Sequence, residues 1–278
     1  MDKKEALKIV QEDSLDWQEL INLLNHFKKD KEIALAAVKN DGNILQYIDD
    51  SLKKDKEIVL EAVKKYSFYL KYADDSLKKD KEIVLEAVKN GFGLEYADDS
   101  LKKDRKFMLE IVKNYGHALK HADDSFKKDR KFILEAVKDN GHALQYADDS
   151  LKKDKEIVLE AIKRDGITLT YADVSFQKDR EIVLKAVKND GRVLEGVFPV
   201  FQKDREIVLE AVKNYGKNYG TDLQYGDDSH VLEYADDSLK KDKEIVLEAV
   251  KNHSNALQYA DDSLMNDPDI LAIVNKKK

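Results

Sequence analysis

The chain has 278 residues, a formal net charge of −7, 38% charged and 42% apolar residues, two prolines, eleven glycines and no cysteine. Lack of cysteine excludes disulfides, thiolate nucleophiles and cysteine-based zinc sites, and a net acidic balance with both signs finely interspersed argues against a basic nucleic-acid face. Leu, Ile, Val, Ala, Glu and Lys dominate, which favours helix, and the apolar share is enough for a packed core.

The first 28 residues contain two stretches with helical patterning, 3–12 and 15–27, the second holding Trp17, Leu20, Ile21, Leu23 and Leu24. They stand outside the period that follows, so residues 1–28 are expected to form an N-terminal helical cap. Met1-Asp2-Lys3-Lys4-Glu5 lacks the apolar core of a signal peptide, and no apolar run approaches the ~18–20 residues that span a bilayer. A cytoplasmic monomer without membrane contact is the expectation, with a secreted effector as the exception.

From residue 29 one phrase recurs. Lys-Lys-Asp-Lys-Glu-Ile-Val-Leu-Glu-Ala-Val-Lys stands at 53–64, 78–89 and 240–251, with close variants between. Aligned on its aspartate it returns at Asp30, Asp55, Asp80, Asp104, Asp129, Asp154, Asp179, Asp204, Asp242 and Asp267. The step is 25 residues, except 24 from Asp80 to Asp104 and 38 from Asp204 to Asp242. A fixed period of this length predicts an all-α solenoid of tandem two-helix repeats over 29–265, with helical caps.

Within one copy, the aspartate reads as the N-cap of a first helix, and a glutamate follows in the first turn. Ile58, Val59, Leu60, Ala62 and Val63 leave only a narrow polar stripe at Glu57, Glu61 and Lys64, so this helix is expected to be buried on most of its circumference. Asp267-Pro268 fits the same register, because proline is tolerated at the first helical position. Gly42, Gly116, Gly141, Gly166, Gly191 and Gly216 are expected to end the helix in the left-handed conformation.

A second, shorter apolar segment follows, typified by Ala143-Leu144-Gln145-Tyr146-Ala147, and can exist only by packing on its neighbours. Asp-Asp-Ser then reads as a turn capping one helical turn. Its Leu or Phe (Leu52, Leu77, Leu101, Phe126, Leu151, Phe176) is expected to plug the core. Two irregularities fall at 195–235: Phe198-Pro199-Val200 replaces Asp-Asp-Ser, and a second copy of the short segment, Asp222 to Ser229, lengthens one step, as either a hinge or a protruding loop. Residues 266–278 are expected to form a C-terminal capping helix.

The consensus Ala-Leu-x-Tyr-Ala-x-x-x-Leu-Lys-x-Asp-Lys-Glu-Ile-Val-Leu-x-Ala-Val-Lys-x-x-Gly resembles a repeat family catalogued as domain of unknown function 4116. Ala143-Leu144-Gln145-Tyr146-Ala147, Leu151-Lys152-Lys153-Asp154 and Ile157-Val158-Leu159-Glu160-Ala161 carry the likeness, which covers about residues 28–275. The resemblance implies an all-helical repeat module of a kind found in bacteria and some protists. It brings no catalytic residue, cofactor or ligand.

Candidate chemistry is thin. No phosphate loop, paired nucleophile or His-Glu-x-x-His is present, so the expectation is a protein that is not an enzyme and needs no cofactor or metal. His117, His121 and His142 recur at one level but lack an evident fourth ligand. The tyrosine column (Tyr47, Tyr72, Tyr96, Tyr146, Tyr171, Tyr234, Tyr259) reads as half-buried packing rather than an aromatic ladder. The columns just after the first helix vary most, and a variable edge on a constant frame is where partners dock. Tyr66, Phe68, Phe92, Tyr115, His117, His142 and Arg192, with Phe198 and Phe201 at the irregular turn, are the candidate contacts for another protein. Asp49, Asp50, Asp74, Asp75, Asp98, Asp99, Asp123, Asp124, Asp148 and Asp149 would align as an acidic row. The two resulting functions are a protein-binding scaffold, or an inhibitor or effector blocking a basic groove of a partner such as a nucleic-acid enzyme. Direct DNA binding is not expected.

Overall fold

The computed structural model describes residues 2–10, 17–89, 92–215 and 229–276. The chain divides into two compact units, Met1–Lys127 and Lys128–Lys278. Each is built from the same helical repeat, and no strand occurs among the described residues, so the fold is an all-α tandem-repeat solenoid.

The copy at Asp55 shows how the sequence makes the repeat. The Asp55 carboxylate accepts from the backbone N–H of Glu57 and Ile58 at 3.1 and 3.3 Å, starting a helix Lys56–Lys65 that ends in two lysines. Ile58, Val59, Ala62 and Val63 are buried. At about 100° per residue these four positions gather on one broad face of roughly 140°. Leu60 and Glu61 on the far side are only half-buried, so burial is less than the expected most of the circumference, although the helix packs on the long helices of both the previous and the next copy. The same cap recurs at Asp30, Asp80, Asp154, Asp179, Asp204 and Asp242.

The second segment is a 3-10 helix rather than an α-helix, for example Gly141–Tyr146. At three residues per turn, positions i and i+3 eclipse. Gly141, Leu144 and Ala147 therefore share one edge, and all three are buried. The leucine or phenylalanine of the following turn enters the core at Leu52, Leu101, Phe126 and Leu151, while Leu77 and Phe176 are only half-buried.

The glycines do not take the left-handed conformation expected of them. Gly93 alone among the described glycines has a positive φ, at 134°. The helix instead ends in an extended residue, such as Asp165 at φ −154°. Glycine is needed one residue later because the next copy's backbone passes over it. A Cβ at Gly166 would lie 2.3 Å from the Ala186 carbonyl oxygen, and one at Gly191 2.1 Å from that of Ala211. The step is locked by Asn189, whose side chain accepts from Gly166 N–H at 2.7 Å and donates to the Lys163 carbonyl at 3.1 Å. Gly216 lies outside the described residues.

Two polar devices join successive copies. The first residue of most long helices reaches the N-cap carboxylate of the next; Lys155 is an exception. In the first unit Lys31 meets Asp55 at 2.9 Å, and Lys56 meets Asp80 at 2.7 Å. In the second Arg130 meets Asp154 at 2.7 Å, and Arg180 meets Asp204 at 2.6 Å. The other device is a backbone rung, in which the first turn aspartate donates its N–H to a lysine carbonyl one copy back: Asp74 to Lys53, Asp98 to Lys78, Asp173 to Lys152. These exposed ion pairs add little stability singly; they fix register.

This register reaches both irregular regions. Residues 1–28, expected to stand outside the period, repeat the device: Asp2 caps the helix Lys3–Ile9, and Lys3 lies 2.9 Å from both Asp30 and Glu32. A second helix, Trp17–His26, follows, with the Trp17 side chain and residues 11–16 outside the described residues. Across the long step, Arg205 meets Asp242 at 2.7 Å and the Asp236 N–H donates to the Gln202 carbonyl at 2.9 Å. Copies on either side of the added segment thus stack as others do. Residues 216–228, which hold most of that segment, lie outside the described residues. Pro268–Lys276 closes the described chain as a helix packed on Lys243–Asn252.

The same contacts predict acid sensitivity. Arg180 holds the Asp204 carboxyl below its usual value against a burial penalty, with the Ile207 N–H adding to the effect. At Asp55 and Asp80, burial pushes upward but the lysine and the capping N–H groups outweigh it. Depressed carboxyls contribute stability above their unfolded pKa, near 3.8, and lose it as pH falls through the lower folded value. Thermal unfolding followed by circular dichroism should therefore show a level midpoint from about pH 5 upward and a steep fall below about pH 4. An unchanged midpoint at acid pH would contradict it.

Candidate functional site

The repeat presents two edges that carry exposed side chains. One lies beyond the C-terminal ends of the long helices, where the extended cap residue and the second residue of the 3-10 helix face outward. The other is the row of Asp-Asp-Ser turns.

In the first unit the outer edge is aromatic. Tyr66, Phe68 and Phe92 are 63%, 36% and 71% exposed. Phe68 and Phe92 hold equivalent positions in successive copies, each two residues before the buried leucine, Leu70 or Leu94. Phe68 rests on the buried ring of Tyr69 at 4.2 Å, Tyr66 stands 6.2 Å from Phe68, and Lys71 Nζ lies 5.2 Å from the Phe68 ring centre. Tyr115 is half-buried with its ring 6.3 Å from the exposed His117.

In the second unit the same edge is polar and internally paired. His142 Nε2 lies 3.0 Å from Asp165 in the next copy, and its ring is 5.8 Å from Tyr171. Asn140 turns back to cap its own 3-10 helix by accepting from the His142 N–H. Arg192 closes over the buried Asp190 at 2.7 Å. His142 and Arg192 are thus engaged with their own frame, unlike Tyr66, Phe68 and Phe92.

Two further expectations change. Phe201 is only 6% exposed: it occupies the core-plugging position of Leu151 and Phe126, so it is a packing residue and not a contact for a partner. Phe198 is half-buried, with Lys178 Nζ 5.2 Å from its ring centre. His121 is held below its usual pKa by burial, against the pull of Glu95 at 4.0 Å. No group of three or more His, Cys, Asp or Glu among the described residues is placed to hold a metal.

The aspartate row is already occupied. The first member of each pair accepts from the serine two residues on, through both its N–H and its hydroxyl, as Asp74 does at 3.0 and 2.6 Å. That bonding holds Asp49, Asp74, Asp98, Asp123 and Asp148 below the usual carboxylate range. The second member pairs with a lysine three residues on: Asp50 with Lys53 at 2.9 Å, Asp75 with Lys78 at 3.0 Å, Asp99 with Lys102 at 3.3 Å, Asp124 with Lys127 at 2.8 Å and Asp149 with Lys152 at 3.2 Å. The row is therefore a line of bonded turns carrying alternating charge.

Sequence reasoning missed one coordinated change in this row. At two successive turns both partners change together: Val174 stands for the aspartate and Gln177 for its lysine, then Pro199 and Gln202 do the same one copy later, whereas the last turn keeps Asp262 and changes only the lysine, to Met265. The signal was present as a double departure three residues apart. Among the described residues no helix is long and apolar enough to cross a membrane.

No match to the chain is found among curated proteins or among solved structures. A family profile does match, at residues 2–53, 30–78, 55–102, 80–127, 104–152, 129–177, 154–199, 179–225 and 217–265. Each match spans about two successive copies, and the first begins at the residue that caps the helix Lys3–Ile9. With its repeat accounted for from residue 2 to residue 265, this chain belongs to the family described as domain of unknown function (DUF4116).

Proposed function

We propose that the chain is a non-enzymatic protein-binding scaffold, and that the aromatic edge of its first unit is the contact surface. The observation that carries this reading is the exposure of Tyr66, Phe68 and Phe92 on an otherwise repetitive frame. Aromatic rings left in water supply large contact area when a partner covers them, and are favoured at interface centres. Phe68 is held by Tyr69 and Lys71, so little side-chain freedom remains to be lost on binding. The second reading, an inhibitor or effector presenting an acidic face to a basic groove, has weaker support. Its carboxylates already accept from serines and lysines of their own turns.

Affinity capture with mass spectrometry, run on the full chain and on Tyr66→Ser/Phe68→Ser/Phe92→Ser, tests the choice. The triple variant should keep its helical signal and lose the partner by about tenfold or more, with retention by the parent chain little changed by salt. If instead Asp74→Asn/Asp75→Asn/Asp98→Asn/Asp99→Asn or high salt abolishes capture while the triple variant retains it, the acidic-face reading replaces this one.

A further inference from the structure

The turn edge of the second unit contains a stretch from which charge has been removed in matched pairs. At the turn beginning with Asp173, the exposed aspartate becomes Val174 and its lysine becomes Gln177. One copy later Asp-Asp-Ser becomes Phe198-Pro199-Val200, and the lysine becomes Gln202. The glutamines keep a structural duty: Gln177 donates to the Ala172 carbonyl at 2.9 Å and Gln202 to the Leu194 carbonyl at 3.2 Å. Removing an ion pair changes no net charge. What it changes is the surface, leaving Val174 and Val200 50% and 65% exposed in adjacent turns.

Two neighbouring features give this patch shape and sign. Gly196, two residues before Phe198, stands where other copies carry the tyrosine, and a Cβ there would meet only Thr170 Cγ2 within 4 Å, at 3.7 Å, so nothing crowds that position. Lys178 has lost its carboxylate. Its counterparts Lys153, Lys203 and Lys241 lie 3.9, 3.5 and 3.7 Å from the first aspartate of the following turn, and Lys103 and Lys128, farther off, still face one and lower its carboxyl pKa. At Lys178 that aspartate is Phe198, and the ammonium sits over the ring at 5.2 Å instead. Among the described residues no carboxylate is within ion-pair distance of Lys178.

We infer that Val174, Phe198 and Val200, with Gly196 and Lys178, form a second docking surface for a peptide segment of a partner protein that carries apolar side chains beside a carboxylate. The apolar side chains cover the valines and enter the space left by the missing tyrosine. The carboxylate meets Lys178, in the place a turn aspartate holds elsewhere. An apolar window in a densely charged edge selects for such a segment, because a polar one gains no burial and one without a carboxylate makes no pair with Lys178.

The test uses the repeat's own chemistry as its control. Val174→Asp/Gln177→Lys/Phe198→Asp/Pro199→Asp/Val200→Ser/Gln202→Lys rebuilds the turn that works elsewhere in the chain, so the variant should retain the parent's helical signal and melting temperature. Random peptides of about a dozen residues, displayed on phage, are panned on the full parent chain. Selected sequences should combine apolar residues with Asp or Glu, and bind the rebuilt chain at least about tenfold more weakly. Lys178→Glu should weaken the acid-bearing peptides, and Gly196→Tyr should weaken all of them. Equal binding to the rebuilt chain, selection without acidic and apolar enrichment, or no selection at all overturns the proposal. Sedimentation showing self-association of the parent but not of the rebuilt chain would assign the patch to a second copy instead. The Tyr66→Ser/Phe68→Ser/Phe92→Ser chain should bind these peptides unchanged, which separates failure here from failure of the aromatic edge.

Discussion

Gly191→Ala is expected to destabilise the second unit by about 3 kcal/mol or more, at the upper end of the range for overpacked interiors. The added methyl would sit 2.1 Å from the Ala211 carbonyl oxygen and 2.9 Å from the Tyr215 nitrogen. Both are backbone atoms of the next copy, so no rotamer change can relieve the clash. The copies must move apart, which separates the buried faces of Arg180–Asn189 and Arg205–Asn214. A loss of that size should lower the melting temperature by roughly 6–12 °C for a domain of this size. Gly196→Ala is the matched control. Its Cβ has open space, and the change should be neutral or stabilise by about 0.4–1 kcal/mol through the unfolded chain. Differential scanning calorimetry of the two variants decides the matter. Equal melting temperatures would show that the close approach of backbones is not what requires glycine at 191.

Phe107→Ala is expected to cost about 3–5 kcal/mol, whereas Phe92→Ala should stay within about 0.5 kcal/mol. The two rings are of one type and stand fifteen positions apart, yet Phe107 is 1% exposed and Phe92 is 71% exposed. Phe107 takes the place that Ile58 and Ile83 hold in earlier copies, on the side of the long helix buried against its neighbour. Removing it leaves a cavity between two layers that their flanking contacts keep from collapsing. Phe92 has no such burial to lose. Chemical denaturation of both variants measures the difference directly, and comparable losses would place Phe92 in the core and remove it from the proposed contact edge.

Much of this molecule was legible in the chain. The aspartate series marked the caps because only a side-chain oxygen can satisfy the first free amides of a helix, and Asp55 and Asp204 do so. The apolar set Ile58, Val59, Ala62 and Val63 marked the inward face, because i, i+1, i+4 and i+5 gather on one side of a helix but would be split between the two faces of a strand. The Leu144 and Ala147 spacing of three is equally visible, but it fits an α-helix and a 3-10 helix alike, and only the backbone distinguishes them.

The outer edge was only half legible. Variation along the columns beyond the long helix pointed to Tyr66, Phe68 and Phe92, which are exposed. The same variation pointed to His142 and Arg192, whose partners Asp165 and Asp190 lie in the same columns. Nothing in a list of residue types separates a ring left in solvent from an imidazole turned toward the next copy.

The sequence by itself therefore determined the period, the helix starts and the inward faces, since each depends on interactions within a few residues of one copy. Only the tertiary structure decided the rest: that glycine is required by a carbonyl arriving from the following repeat, and that Phe201 points in while Val174 and Val200 point out. Those outcomes are set by atoms about one period away along the chain, and their distances exist only once neighbouring copies are stacked.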